Sequence, residues 1–323
     1  MQISVQYFIL GLIIFGLVLA GIFTGPSDFS IKEMFDGLLR KNDHISQVII
    51  WDMRIPRILA SIIVGNCLGL AGVLIQLSTR SSLGDPNLFG IGGGAAIFIA
   101  AGFGGLFVIS SFFSLIGCII SSTLVALGLS MLISTPNLSA TKLVLMGIAV
   151  AALTISIGTA IISHGRVFPS QIIGLVSGSF SSSDWENVFY LLIIFCICFA
   201  ISLCLARKFF AIMLGDILTK SLGVNPIKIR LFAMTIVGVL SGVSVFSGGI
   251  IGFVGLVSPH ISRRLFGNST TNLIISSSII GGLLTLFADQ LARLLFAPSE
   301  LPVGLATTIL GAPTMMYLAL KVK

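Results

Sequence analysis

The chain has 323 residues, of which 56% are hydrophobic and 9% charged, with a mean hydropathy of +1.12. Soluble domains carry roughly a quarter charged residues, so this composition excludes one and points to an integral membrane protein. The net charge of +7 and the pI near 9.4 do not indicate nucleic-acid binding, because the cations flank apolar spans instead of gathering into a patch.

A membrane-crossing helix takes about 20 apolar residues. The first run, Ser4 to Phe23, has no basic segment ahead of it and reads as a retained span, not a cleaved leader. A polar segment follows, Thr24 to Met53, whose mixed charge places it outside. Within it, Ser30-Ile31-Lys32-Glu33 has the capping-box pattern of a short surface helix. Span two opens at Arg54-Ile55-Pro56-Arg57, with the proline suited to a first turn, and runs to Ser78. Its Gly65, Gly69 and Gly72 form a small-residue face for close helix packing.

The turn Arg80 to Pro86 lies inside. Span three starts near Asn87 and holds Gly90, Gly92, Gly93 and Gly94; no Lys-Ser/Thr follows, so this is no phosphate loop but a packing or path-lining feature. Spans four (Leu106 to Ile133) and five (Lys142 to Ser163) are joined inside by Ser134 to Thr141. The outer segment His164 to Glu186 includes a moderately apolar stretch, residues 168–180, that suits a half-buried helix. Span six is Asn187 to Ala206.

Arg207 to Arg230 interrupts the apolar pattern with five cations against one acid, Asp216. Gly215-Asp216 is expected to cap a short helix over Ile217 to Leu222, Gly223 to follow its end, and Asn225-Pro226 to stop the chain. A capped helix at the inner face suits a grip for a soluble partner; a floating interfacial helix is the alternative. Span seven is Leu231 to Gly248, span eight Ile250 to Leu265, span nine Leu273 to Phe296 and span ten Val303 to Leu320. Asp289 and Arg293 sit near the outer end of span nine, one turn apart and able to pair.

This topology puts eleven cations inside against Asp85 and Asp216, for +9, and leaves −2 outside; together they make the +7 of the chain. The bias obeys the positive-inside rule, with both termini cytoplasmic. Displacing the chain by 173 residues lays Arg57, Ala60, Ile63, Val64, Gly65 and Gly69 on Arg230, Ala233, Ile236, Val237, Gly238 and Gly242. Span two enters from outside and span seven from inside, so spans two to five and seven to ten read as inverted repeats, a transporter architecture.

His44, His164 and His260 have no partner at ligand or triad spacing, and no metalloprotease, hydrolase-elbow or paired-carboxylate pattern occurs. No catalytic residue, metal site or cofactor is expected, and Cys67, Cys118, Cys196, Cys198 and Cys204 read as packing thiols. An ion-coupled carrier needs a buried ionisable relay, and the spans lack charge at mid-membrane. No nucleotide-binding motif is present, so the energy is expected from a separate chain gripping the Arg207–Arg230 segment.

Several segments together resemble one family. Residues 54–76 and 83–95, then LGDILTKSLGV, GIIGFVGLVSPHISRRLFG, LFADQLAR and SELPVGLATTILGAP, resemble in order the permease subunits of ATP-driven importers for iron-siderophore complexes, haem and vitamin B12. The resemblance implies an all-α permease of about ten transmembrane helices, a single domain over residues 1–323 in the bacterial cytoplasmic membrane. It also implies a dimer with a second copy or a paralogue, two ABC ATPase subunits below and an extracytoplasmic substrate-binding protein above. Leu214, Gly215, Asp216, Leu222, Gly223 and Val224 match the family's coupling segment. Arg54, Arg57 and Arg293 match outer arginines that receive glutamates of the binding protein, whereas the residues alone read rather as anchors to lipid headgroups. Ser139, Ala140 and Thr141 match the loop narrowing the inner gate. A ferric siderophore is the implied cargo, with haem or cobalamin as alternatives. One departure is Ser81-Ser82-Leu83-Gly84, where the family has Asn-Pro-Leu-Ala, which suggests a more flexible turn.

Overall fold

The computed structural model describes residues 2–25, 31–40, 44–105, 110–133, 140–164, 174, 176–295 and 299–321. Among these every regular element is helical: α1 Gln2–Phe23, α2 Ile31–Leu38, α3 His44–Val48 running through a π-helical stretch Ile49–Arg54 into α4 Ile55–Thr79, then α5 Ile91–Phe103, α6 Ser111–Ile133 and α7 Ala140–His164. After these come α8 Trp185–Cys204, α9 Ala206–Met213, α10 Asp216–Ser221, α11 Pro226–Gly248, α12 Val254–Phe266, α13 Thr270–Leu294 and α14 Val303–Lys321. Among the described residues, seven helices are long and apolar enough to cross a bilayer. α5 and α12, with 13 residues each, rise only about 20 Å and fall short of the roughly 30 Å hydrocarbon core.

α4 and α11 form the centre. Each starts at a proline in its first turn, and Asn225 caps α11 by accepting from the Ile227 and Lys228 N–H groups. Asn225-Pro226 therefore opens the next helix where a stop was expected, because an Asn N-cap and a proline without an N–H both suit a helix start. α4 packs chiefly on α13, α11 and α12, while α11 packs on α6, α4 and α5. The glycines expected to allow close approach do so. A Cβ on Gly65 would meet the Gly281 carbonyl oxygen at 2.3 Å, one on Gly69 the Ser277 oxygen at 2.2 Å, and one on Gly72 the Gly255 oxygen at 1.9 Å. Without a hydrophobic force between helices in lipid, such backbone proximity is what holds them. Ser122, Ser202, Ser244 and Ser258 donate to the carbonyl one turn back, which satisfies hydroxyls that have no water to turn to.

α1 is largely exposed along its length and held near its two ends. Near one, the Tyr7 ring lies 4.5 Å from that of Phe266; towards the other, Gln290 Nε2 donates to the Leu17 carbonyl at 2.5 Å. The two tryptophans of the chain meet where α8 begins, Trp185 Nε1 donating to the Trp51 carbonyl at 2.9 Å. Cys67, Cys118 and Cys198 are buried, while Cys196 and Cys204 face outward and do not serve as core packing.

Candidate functional sites at the two ends of the bundle

The Leu214–Val224 segment is a bracketed single-turn helix. Gly215 at φ +104° turns the chain into α10 and Gly223 at φ +74° takes it out, both conformations that favour glycine. Gly223 N–H donates to the Lys220 carbonyl and Val224 N–H to that of Thr219, the paired bonds of a Schellman ending. Inside the turn, the buried Thr219 hydroxyl bonds to the Ala211 and Gly215 carbonyls at 2.7 Å each. The apolar side chains point the other way: Ile217 is 83% and Leu222 62% exposed, with Leu214 and Leu218 beside them.

Of the expected Gly215-Asp216 cap, the glycine alone takes the cap position, without a side-chain bond, and Asp216 is the first helical residue. Its carboxylate is instead shared by two guanidiniums. Arg230 donates through Nη2 at 2.6 Å and Nη1 at 3.2 Å, and Arg80 through Nη2. Burial alone would raise the Asp216 pKa; the bonds from Arg230 and Arg80 outweigh it and hold the carboxyl below its ordinary value. Arg80 also donates from Nε to the Ile212 carbonyl at 2.8 Å. The departing tetrapeptide is tied locally as well: Leu83 N–H donates to Ser81 Oγ at 3.3 Å and Gln76 Nε2 to the Gly84 carbonyl at 3.2 Å.

At the other end of α4 the three expected docking arginines are all buried. Arg57 forks onto Asp289, from Nη2 at 2.9 Å and Nε at 3.1 Å, and onto Glu300 from Nη1 at 2.8 Å. Asp289 therefore takes Arg57 across the α4–α13 contact where pairing with Arg293 on its own helix was expected. Two parallel bonds to a planar guanidinium outcompete a flexible i,i+4 pair. Arg293 Nη2 reaches the Thr24 carbonyl at 3.2 Å, and Arg54 Nη1 the Ile22 carbonyl at 2.5 Å. Both guanidiniums thus lie on the carbonyl end of α1, where a helix dipole favours cations. A Cβ on Gly25 would sit within 2.6 Å of Arg54 Nη2 and 2.9 Å of Arg293 Nη2. Arg54 is the last residue of the π-helical stretch and Arg57 lies in the first turn of α4.

Beside Glu300 is a cavity of about 560 Å³, lined by Ser179, Ser181, Ser182 and Ser247 with Phe103 and Phe246. Of the expected gate, Ser139 lies outside the described residues; Ala140 and Thr141 are the first two residues of α7. Sequence reasoning missed Arg80, Arg230 and Glu300 as site residues. The signal available was the isolation of Asp216 among cations, since a lone acid in such company is rarely unpaired.

Comparison with known proteins follows the same outline. The model of the FecCD transport family matches residues 12–321. The chain is 34% identical over 316 residues to the Fe(3+)-citrate import system permease protein YfmD of Bacillus subtilis, across 97% of this chain and 94% of that one. It is 31% identical over 293 residues to the vitamin B12 import system permease protein BtuC of Vibrio parahaemolyticus, across 90% and 88%. A solved structure described as an inward-facing, metal-chelate type ABC transporter superposes with a TM-score of 0.82 at 27% identity, covering 98% of both chains.

Proposed function

The chain belongs to the FecCD transport family, and from that we propose that it is the membrane subunit of an ATP-driven importer in the cytoplasmic membrane, with both termini cytoplasmic. It passes an iron complex, a ferric siderophore before haem or cobalamin, from a substrate-binding protein outside to the cytoplasm. Separate ATPase subunits drive it, and a second copy or a paralogue completes the pathway. The observation that carries this reading is the exposed apolar tip Leu214, Ile217, Leu218 and Leu222, set between fixed glycine turns. A rigid, unburied apolar turn is a docking element for a protein groove. Relatives named for citrate, hydroxamate and vitamin B12 support chelate cargo.

We read the architecture as one domain of about ten helices with inverted repeats. Its support is the pairing pattern: α4 meets α13, α12 and α11 as α11 meets α6, α5 and α4, which is what exchanging the two halves gives. Arg54, Arg57 and Arg293 form the outer dock. Carboxylates of the binding protein replace the α1 carbonyls on Arg54 and Arg293, while Arg57 keeps Asp289 and exchanges Glu300, whose carboxylate is the more exposed of the two. The serine-lined cavity beside Glu300 receives the cargo, and Ser139 to Thr141 narrow the inner gate.

The test is Leu222→Asp with Ile217→Asp in membranes carrying the ATPase subunits. We expect the chain to remain inserted, ATPase subunits to dissociate, and uptake to fall at least tenfold. Uptake that persists without any ATPase subunit and collapses with the proton gradient would establish an ion-coupled carrier instead. Radiolabelled siderophore, haem and cobalamin, tried in turn, separate the cargoes.

A further inference from the structure

The Asp216 carboxylate ties the short helix α10 to the two central helices, α4 and α11. It starts α10; Arg80 ends α4; Arg230 lies in the opening turns of α11. α10 itself packs chiefly on α9 and α11. α4 and α11, by contrast, are the two helices against which most others rest. Besides its packing on α9 and α11, α10 therefore has a direct side-chain link to both central helices through this carboxylate.

The two arginines are not equivalent. Arg230 is 8% exposed in its side chain and binds both carboxylate oxygens, which makes it the firmer hold of Asp216 on α11. The Arg80 side chain is 36% exposed and reaches Asp216 through one nitrogen. Arg80 also has φ +53° and ψ +30°, a left-handed conformation that costs a residue with a Cβ and that glycine adopts freely. That backbone turn aims its side chain away from α4 and towards the α9–α10 corner, where Nε takes the Ile212 carbonyl. A half-exposed charge pair is weak and exchanges readily with water, whereas a buried one does not.

We propose that Arg80 and Arg230 are positioning residues that act through Asp216, Arg230 as the fixed side and Arg80 as the releasable side of a joint, so that displacement of α10 by the driving subunit is passed to the inner ends of α4 and α11. The proposal rests on the reading of Leu214–Val224 as the face that the ATPase subunit grips. It places Asp216 on the inward side of that face, turned to its own chain and not to the partner.

The experiment uses the complete transporter in proteoliposomes and reads three quantities: ATPase-subunit retention, ATP hydrolysed, and substrate moved per ATP. Arg80→Gln is expected to keep the subunits bound and hydrolysis within twofold of the parent, while substrate moved per ATP falls at least tenfold. Arg80→Lys, which restores the charge, should recover at least a third of the parent ratio. Arg80→Gly suits the left-handed backbone and so folds at least as well, yet should uncouple as fully as Arg80→Gln. Adding Asp216→Asn to Arg80→Gln should leave the ratio where Asp216→Asn alone puts it. The proposal is overturned if Arg80→Gln and Arg80→Gly transport normally. It is equally overturned if hydrolysis, retention and transport fall together in a folded protein, or if the double variant shows the product of the single losses. A parent chain that neither retains nor responds to ATPase subunits would overturn the coupling reading itself, a result distinct from any of these.

Discussion

Arg57 and Arg230 fall on each other when the chain is displaced by 173 residues, yet they sit in opposite electrostatic settings. Arg57 is one cation between two carboxylates, and the inner of these, Asp289, has no exposed side-chain surface. Arg230 shares one carboxylate with a second cation, and that carboxylate is 46% exposed. The first arrangement is expensive to break, because removing one partner strands a charge in a medium that cannot solvate it. The second opens at little cost on its Arg80 side, because water can reach both Arg80 and Asp216. One end of the bundle is built as an anchor and the other as a joint, from the same residue type at corresponding places.

The comparison breaks most readily at the anchor. Asp289→Ala leaves the buried Arg57 with only the partly exposed Glu300. Stranding one member of such a pair costs about 3–5 kcal/mol, enough to remove most folded protein from a marginally stable chain. We expect the variant to accumulate poorly and its detergent-solubilised form to lose most of its thermal stability. Replacing both partners by apolar residues, Arg57→Met with Asp289→Leu, should restore much of it. Normal accumulation of Asp289→Ala would show that the outer pair is not an anchor.

The second effect is smaller and concerns α1. Arg54 and Arg293 bond its last carbonyls, and little else along its length is buried. Cations at a helix C-terminus contribute about 0.3–1 kcal/mol each, up to about 2 in partly buried geometry. Arg54→Gln with Arg293→Gln should therefore loosen α1 without unfolding the bundle. Hydrogen exchange over residues 17–24 should rise at least tenfold while exchange within α4 and α13 stays unchanged. If both regions change together, the arginines belong to the anchor and not to α1.

These contrasts mark where the sequence was informative. Composition and apolar runs of about 20 residues revealed the seven long spans found among the described residues, and the glycine face of α4 was legible because its purpose, backbone approach, needs only the absence of a side chain. The Gly215 and Gly223 turns were legible for a similar local reason. What failed was partner choice. The Asp289–Arg293 pairing was inferred from spacing within one helix, but the structure brings Arg57 to Asp289 from 232 residues away. The Gly215-Asp216 cap was right for its glycine only, because local rules weigh the Asp216 side chain against its neighbouring N–H groups and know nothing of Arg80, which comes from 136 residues away. The ends of the spans, where charge is buried against distant charge, are set by tertiary packing and are the places a single-sequence reading cannot resolve.

The smallest expected effect sharpens the description of the joint. Two carboxyls between spans on this side of the molecule differ in sign. Asp216 is held below its ordinary value of 3.8, since the bonds from Arg230 and Arg80 exceed the opposing cost of burial. A depressed carboxyl contributes stability that is complete above the ordinary value and is lost only as pH falls through the folded one. Between pH 7.5 and 5 the joint should therefore not titrate. Asp85 is the reverse: burial pushes it up to about 6, against the Leu88 and Asn87 N–H groups that pull it down. Its ionised form is disfavoured in the fold, so this penalty is complete above about 6 and lifts as pH falls towards 3.8. Stability should rise over the same interval for this reason, and Asp85→Asn should remove that part of the rise. Asp216→Asn should instead lower the curve by less than about 1 kcal/mol, and by an equal amount at pH 7.5 and pH 5. The measurement is the difference between variant and parent thermal midpoints at the two pH values, which cancels the histidines common to both. Convergence of the Asp216→Asn and parent curves by pH 5 would mean that Asp216 takes up a proton in this interval. Its arginines would then not be holding it, and the joint would be open at rest.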